Sequence, residues 1–241
     1  MWFVGVDLAW GGRRPSGLAV LDAGGNVVAE GWATGDEEIA GFLAAHDAAG
    51  AVVALDAPLV VGNPAGTRAC ERELQRRYGR VGAGPYPTNL GLLGGRVRAM
   101  ELVRRSARPY LTVPRDPGRG TGWWAVEVFP APALVELGGL VRAVRYKKGP
   151  PAARRAGLRA VAAVLGGLAG ADPPLRLDPA GTLARELHRL EGLRGAGLKA
   201  VEDLADAHVC AYVGLWWWAQ GPAATLVAGD DATGAILVPR P

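Results

Sequence analysis

Cysteine and long apolar runs are both scarce in this chain. Its two cysteines, Cys70 and Cys210, form neither a metal-binding spacing nor a disulfide framework, as is usual for proteins of a reducing compartment. No apolar run approaches the ~20 residues that a membrane-spanning helix needs. The short apolar N-terminus also lacks the basic leader of a signal peptide. These absences predict a cytoplasmic protein with no membrane association.

The remaining composition is that of a soluble globular protein. Hydrophobic residues make up 49% and charged residues 21% of the 241 positions, and neither an internal repeat nor a low-complexity linker divides the chain. We therefore expect a single domain over residues 1–241, with room for an insertion. The net charge of +4 comes mostly from arginine and favours a phosphate-rich partner such as nucleic acid.

The N-terminal part of the chain predicts a sheet of defined topology. Three apolar segments, at about 2–9, 17–21 and 27–32, are separated by glycine-rich turns and predict an antiparallel meander. A helix at about 36–48 then precedes a fourth strand at 51–56. Because a strand that follows a helical crossover runs parallel to its neighbour, we expect strand four beside strand one.

Two of these strands end in an aspartate. Asp7 ends the apolar run of the first strand, and Asp56 ends that of the fourth. Burying a lone ionised carboxylate costs several kcal/mol or more unless a partner or a metal compensates for the lost hydration. Parallel neighbours end at the same edge of a sheet, which is where open α/β sheets bind their ligands. The sequence therefore predicts that Asp7 and Asp56 meet at this edge.

The rest of the chain adds an insertion, a fifth strand and several helices. Residues 60–122, rich in Gly, Pro and Arg, predict an insertion that covers the sheet edge and has helices at about 66–78 and 90–106. A fifth strand at 123–129 contains Glu127, and the closing segments predict a strand pair around a glycine turn. The predicted fold class is α/β, with a mixed five-stranded sheet flanked by helices. Further helices are expected at about 132–138, 151–166, 180–193 and 199–218.

The last long helix supplies two more acids. Asp203 and Asp206 are three residues apart, so they share one face of the helix. The helix dipole accounts for Asp203, which lies near the N-terminal end. Asp206 precedes a strongly apolar stretch, which indicates that this part of the helix is buried.

The candidate acids form a ligand set made only of oxygen atoms. Carboxylates without an accompanying Cys or His cluster suit Mg²⁺ or Mn²⁺ better than zinc. Two such ions about 3.5–4 Å apart can activate a water molecule and stabilise the leaving oxygen in phosphodiester hydrolysis. The candidates are Asp7, Asp56, Glu127, Asp203 and Asp206.

Five short motifs occur in order along the chain. They are Gly5-Val6-Asp7, Leu55-Asp56-Ala57-Pro58-Leu59, Glu127-Val128-Phe129-Pro130, Tyr146-Lys147-Lys148-Gly149 and Asp203-Leu204-Ala205-Asp206-Ala207. In this order they resemble a bacterial and archaeal family, domain of unknown function 429, which is described as predicted ribonuclease H-like nucleases. The resemblance runs nearly end to end. It implies a ribonuclease H-like sheet with an interrupted middle and a nuclease activity.

Carried over residue by residue, the resemblance implies metal ligands at Asp7, Asp56 and Asp206. Asp203 or Glu127 would complete the coordination shell of the metal ion or orient a water molecule. The chain departs from the family pattern at two motifs. A frequent second glutamate is replaced by Ala131-Pro132, and an Arg-x-x-Asp motif is replaced by Arg68-Ala69-Cys70-Glu71.

Basic residues near these motifs are candidate contacts to a nucleic acid backbone, because Lys and Arg supply most of the nonspecific affinity for phosphates. The alternative is that they form solvated helix faces. The candidates are Arg68, Arg72, Lys147, Lys148 and Arg155.

Two other functions compete with a metal-dependent nuclease. An actin-like nucleotide-binding phosphotransferase would share this strand order, but it needs a second phosphate loop and normally a duplicated domain. A non-catalytic binding module would keep the acids for structural reasons. A response of the thermal stability to Mn²⁺ separates a working metal site from a vestigial one.

Overall fold

The computed structural model describes residues 1–12, 14–112 and 116–241. Within them, strands form one mixed sheet in the order β3-β2-β1-β4-β5-β7-β6. The predicted count of five strands is wrong, because the C-terminal strand pair joins this sheet through β7, which runs parallel to β5. The strands are β1 (Trp2–Asp7), β2 (Pro15–Leu21), β3 (Val27–Thr34), β4 (Ala51–Leu55), β5 (Trp123–Val128), β6 (Thr225–Asp230) and β7 (Gly234–Pro239).

The predicted strand directions are confirmed. β1, β2 and β3 form the antiparallel meander, and β4 lies parallel to β1 with Val6 opposite Leu55. β5 in turn lies parallel to β4, with Leu55 opposite Glu127. The carboxyl ends of β1, β4 and β5 therefore share one edge of the sheet.

The helices occur close to the predicted positions, with two exceptions. The expected helix at 90–106 begins only at Arg98, because Gly94 and Gly95 adopt left-handed backbone conformations, with φ of 62° and 79°. The expected helix at 180–193 ends at His188 and is followed by a 3₁₀ turn. The α-helices are α1 (Gly35–Ala45), α2 (Ala69–Tyr78), α3 (Arg98–Arg105), α4 (Pro130–Leu137), α5 (Pro151–Gly167), α6 (Thr182–His188) and α7 (Gly195–Gln220).

Helices cover both faces of the sheet, because alternate strand residues point to opposite sides. Val4 and Val6 of β1 pack in the same core cluster as α1 and α3. Phe3 packs in the cluster formed with α4, α5, α6 and α7. The insertion helix α2 covers β6 and β7 through residues such as Leu74. Across the described ranges, no helix combines the length and the apolar character that a membrane crossing requires.

Two glycines let α7 lie directly on the strands of the meander. A Cβ at Gly5 of β1 would overlap the backbone carbonyl of Ala207, and a Cβ at Gly17 of β2 would overlap the carbonyl of Asp203. Helix and strands can approach this closely only where no side chain separates them. The part of α7 between these contacts carries Asp206, which is held next to the end of β1.

Candidate metal centre

Three aspartates from three different elements converge at the shared edge of the sheet. Asp7 is the last residue of β1, Asp56 directly follows β4, and Asp206 lies on α7. One carboxylate oxygen from each lies within 4.8 Å of the other two. The backbone N–H of Asp56 donates to the carbonyl of Val6 at 2.8 Å, so the two strands end at the same level. The predicted meeting of Asp7 and Asp56 is confirmed.

Asp206 is fully buried, and both of its oxygens have partners. The Tyr146 hydroxyl donates a hydrogen bond of 2.6 Å to Oδ1. The Lys147 ammonium lies 2.7 Å from Oδ2 and also reaches Asp56 Oδ2 at 3.5 Å. The loop before α5 thus inserts a cation between two of the three acids. The sequence reasoning gave Tyr146 no role, although its place beside Lys147 in the fourth motif was the available signal.

Asp7 lies near Lys147 and Lys199 but has no direct partner of this kind for its Oδ2 atom among the described residues. Its Oδ2 atom is buried and makes no hydrogen bond within the described part of the chain. Burial raises the pKa of Asp7 well above its usual value, and the nearby charges of Asp56 and Asp206 raise it further. A buried carboxylate oxygen without a donor is costly, and a bound divalent cation would remove that cost. Three carboxylates with no Cys or His fit a hard cation such as Mg²⁺ or Mn²⁺.

Asp56 lies at the more open side of the centre. Its side chain is 19% exposed, whereas that of Asp206 is 0% exposed. Burial raises the pKa of Asp56 to about 6, even though Lys147 lowers it. For Lys147 itself, burial acts to lower the pKa, but Asp206, Asp56 and Asp7 outweigh it and raise that pKa well above its usual value. Lys147 is therefore a cation at neutral pH.

Asp203 lies one turn before Asp206 but has its own partner. The ammonium of Lys199 pairs with Asp203 Oδ1 and lies 2.7 Å from Glu202 Oε1. Burial would lower the pKa of Lys199, yet Asp7 and the bonds to these two acids raise it. Lys199 was missed by the sequence reasoning. Its position four residues before Asp203 on the same helix could have predicted this ion pair, since residues at that spacing meet on one helix face.

Glu127 is not brought together with the three aspartates. It pairs with Leu55 in the β4–β5 register, and Leu55 belongs to the core on the α1 and α3 side of the sheet. Asp56, one residue later, points to the opposite side because strand side chains alternate. The Glu127 carboxylate binds the Arg68 guanidinium through two hydrogen bonds of 2.8 and 2.6 Å. Leu59 N–H donates to it as well, at 3.0 Å.

Comparison with known proteins gives one positive finding. The model of a family described as Protein of unknown function (DUF429) matches residues 5–232. The chain belongs to this family. No curated protein and no solved structure matches it. The match confirms the predicted family resemblance, and it includes Asp7, Asp56 and Asp206.

The five basic residues predicted to contact phosphate differ in whether acidic partners already bind them. Arg68 is 4% exposed and binds Glu71 and Glu127, so it belongs to a buried ion cluster. The Arg155 side chain is 13% exposed and lies 3.3 Å from Glu191. Lys147 contacts the aspartates, as described above. Arg72 and Lys148 are exposed and remain candidates for a phosphate contact.

Proposed function

We propose that this DUF429 protein is a metal-dependent nuclease that hydrolyses phosphodiester bonds of nucleic acid. The observation that carries the proposal is the buried Oδ2 of Asp7, which has no hydrogen-bond partner among the described residues and lies beside Asp56 and Asp206. These three residues would hold Mg²⁺ or Mn²⁺. The ion would supply an activated water molecule and neutralise charge on the phosphate. In the overall reaction, water adds across the P–O ester bond, which leaves a phosphate monoester and an alcohol.

The topology supports the ribonuclease H-like part of this proposal. The sheet contains the order β3-β2-β1-β4-β5, with an antiparallel meander followed by two parallel strands. The acids lie at the ends of β1 and β4 and on the last long helix. The family resemblance implied the same combination of an interrupted sheet, two strand acids and one helix acid.

We further propose that the centre holds one divalent ion rather than two. The ammonium of Lys147 lies between Asp56 and Asp206, and a second ion bound by this pair would have to displace it. Asp206 holds the Lys147 ammonium at 2.7 Å, and the Tyr146 hydroxyl holds Asp206 in turn. The Lys147 side chain is 35% exposed, so its ammonium can also donate a hydrogen bond to a phosphate oxygen. Lys147 would thus neutralise the phosphate charge that the second ion neutralises in enzymes with two metal ions.

The same lysine favours one competing function. Because Lys147 already neutralises part of the acidic charge, the centre could be stable without metal, as in a non-catalytic binding module. Metal binding separates the two functions. A nuclease centre binds Mn²⁺ and is stabilised by it, whereas a module with a purely structural acid cluster shows no response.

The decisive test compares the native chain with Asp7→Asn. We expect Mn²⁺ to raise the melting temperature of the native chain and Mg²⁺ or Mn²⁺ to support cleavage of at least one member of a panel of single-stranded, duplex, hybrid and branched substrates. Asp7→Asn should abolish cleavage and the Mn²⁺ response. Without metal it should melt at an equal or higher temperature, since it removes an unpaired buried charge. Asp231→Asn, in the exposed β6–β7 turn, is the matched control. Undiminished cleavage by Asp7→Asn would refute the proposal.

The number of ions is tested with Lys147→Met, which removes the ammonium and keeps an unbranched side chain. Calorimetric titration with Mn²⁺ should give one ion per native chain and a second, weaker ion in the variant. Two ions in the native chain would overturn the single-ion proposal without affecting the assignment of the site itself.

A further inference from the structure

A groove runs along α2 on the side of the loop that follows it. Its volume is about 660 Å³, within the usual range for sites that bind small molecules. Arg72, Gln75 and Arg76 of α2 line one wall, and the other is lined by Gly79, Gly82, Gly84, Pro85, Tyr86 and Pro87. The side-chain amide of Gln75 packs against Gly79 and Gly84, and an added Cβ at either glycine would overlap it.

One rim of the groove carries an exposed aromatic ring. Tyr86 is 76% exposed, unlike the buried tyrosines of the core. The Lys148 ammonium lies 4.9 Å from the centre of this ring and 3.0 Å from the Tyr86 hydroxyl. A lysine in this position limits the orientations of the ring and adds a positive charge beside it.

The groove is joined to the metal centre by two consecutive residues. Lys147 reaches Asp56 and Asp206, while Lys148 reaches Tyr86. Since neighbouring Cα atoms are only ~3.8 Å apart, the loop before α5 places one cation in the centre and the next at the groove. The loop before α5 therefore contacts both the centre, through Lys147, and the rim of the groove, through Lys148.

The charge of the groove is positive and not neutralised locally. Throughout the described segments, neither Arg72 nor Arg76 forms a salt bridge, although Arg77 of the same helix pairs with Glu73 at 3.0 Å. Arg72 donates to the backbone carbonyl of Thr67, which orients its guanidinium. Positive side chains next to an exposed ring are the combination that binds single-stranded nucleic acid.

We propose that this groove binds an unpaired nucleotide of the substrate, with the base stacked on Tyr86 and the phosphates beside Arg72 and Arg76. This inference rests on the proposed function and names its substrate class, a single strand or a duplex with a single-stranded end. A base in a duplex has its faces covered by its neighbours, whereas an unpaired base can stack on a side chain. Gln75, in the wall of the groove, can bind the base edge.

The test measures binding without cleavage. A short fluorescein-labelled single-stranded oligonucleotide is titrated with the full chain in EDTA, and its anisotropy is recorded. We expect tighter binding than for the same sequence as a blunt duplex. Tyr86→Ala should weaken single-strand binding roughly 5- to 150-fold, while Tyr86→Phe, which keeps the ring, should stay close to the native value. The double variant of Arg72→Ala and Arg76→Ala should reduce the slope of log K against the log of the salt concentration by about 1.4, because two phosphate contacts on a single strand are lost.

Matched controls and the outcome of the cleavage assay keep this inference separate from the proposed function. Leu92→Ala, at another exposed apolar position, should leave binding unchanged. Equal binding of duplex and single strand, no effect of Tyr86→Ala, or equally tight Tyr86-dependent binding of polyglutamate would overturn the inference. Cleavage could still be observed in any of these cases, so the nuclease proposal would stand. Conversely, Tyr86-dependent binding without any cleavage would support the groove and reject the nuclease.

Discussion

Asp7, Asp56 and Asp206 differ in how their charges are neutralised. Asp206 has a hydroxyl and an ammonium as partners, and Asp56 shares that ammonium at a longer distance. Asp7 Oδ2 has no donor among the described residues. A cation that enters the centre therefore gains most from Asp7. This asymmetry is the reason why Asp7→Asn is the most informative single substitution in the site.

The raised pKa of Asp56 predicts how stability depends on pH. A carboxyl group whose pKa is about 6 in the folded state and ~3.9 when unfolded binds its proton more tightly when folded. Stability is therefore highest below pH ~4 for this group and falls as the pH rises towards 6. Two pKa units correspond to ~3 kcal/mol, and partial exposure reduces this to about 1–2 kcal/mol. Urea unfolding in EDTA between pH 4.5 and 7 measures the loss.

Two comparisons test the origin of this pH dependence. Asp56→Asn should make the stability curve less steep over the same pH range, while Asp7, whose pKa is also raised, keeps a dependence of the same sign. Saturating Mn²⁺ should reverse its slope in the native chain, because metal binding requires the deprotonated carboxylates. If Asp56→Asn showed the same loss of stability as the native chain, the titrating group would have to lie elsewhere.

At the scale of elements, the close approach of α7 to β1 decides where Asp206 lies. Gly5→Ala places a methyl group against the backbone of Ala207 and Ala211, which cannot move as a side chain can. We expect a loss of about 2–3 kcal/mol in the free energy of unfolding, at the upper end of the usual cost of overpacking. Because α7 must shift, the Mn²⁺ affinity should also fall. Thermal unfolding and calorimetry measure the two effects.

Gly31→Ala is the matched control for this substitution. Gly31 lies on β3, and a Cβ there would meet open space. The free energy of unfolding of the Gly31→Ala variant should remain within ~0.5 kcal/mol of that of the native chain, and the Mn²⁺ affinity of the variant should not change. A Gly5→Ala chain as stable as Gly31→Ala would show that α7 can move away without cost.

At the scale of the whole molecule, a buried ion cluster ties the insertion to the sheet. Arg68, just before α2, binds Glu127 of β5 and Glu71 of α2. Glu71 Oε2 also accepts hydrogen bonds from the backbone N–H groups of Arg68 and Thr88, each at 3.0 Å. The cluster thus joins the sheet, the helix α2 and the loop that lines the groove.

Breaking this cluster should lower the free energy of unfolding without disturbing the three aspartates of the candidate metal centre. Arg68→Met leaves two buried carboxylates with no cation, and we expect a loss of about 3–5 kcal/mol in the free energy of unfolding. Glu127→Gln should also destabilise, while its folded fraction keeps the native Mn²⁺ affinity and cleavage at low temperature. Urea unfolding and calorimetry provide the two measurements.

The double variant Arg68→Met, Glu127→Gln is the internal control. It removes the charges of both Arg68 and Glu127, so Glu127 is no longer a buried carboxylate without a cation. The double variant should therefore recover part of the stability that Arg68→Met loses. Loss of Mn²⁺ binding in folded Glu127→Gln would contradict a purely structural role and restore Glu127 to the metal centre.

The meeting of Asp7 and Asp56 was predictable from the sequence because it depends on local rules. Tight turns give an antiparallel meander, and a helical crossover gives a parallel strand. Glu127 could have been assigned to the other face, since alternation along β5 and the register with β4 follow from the same rules. The C-terminal strand pair was seen, but its attachment to β5 depends on sheet pairing between distant segments.

Short-range patterns of apolar residues, turns and carboxylates are enough to predict the strand directions, the shared edge of the sheet and the two strand acids that meet there. Which charged side chains pair with one another depends instead on the packing of segments that are distant in the chain. Lys147 and Asp56 are 91 residues apart in the chain, and Arg68 and Glu127 are 59 apart. Electrostatic pairing depends on distance in space, and for such residues this distance is set by how the whole sheet and its helices pack.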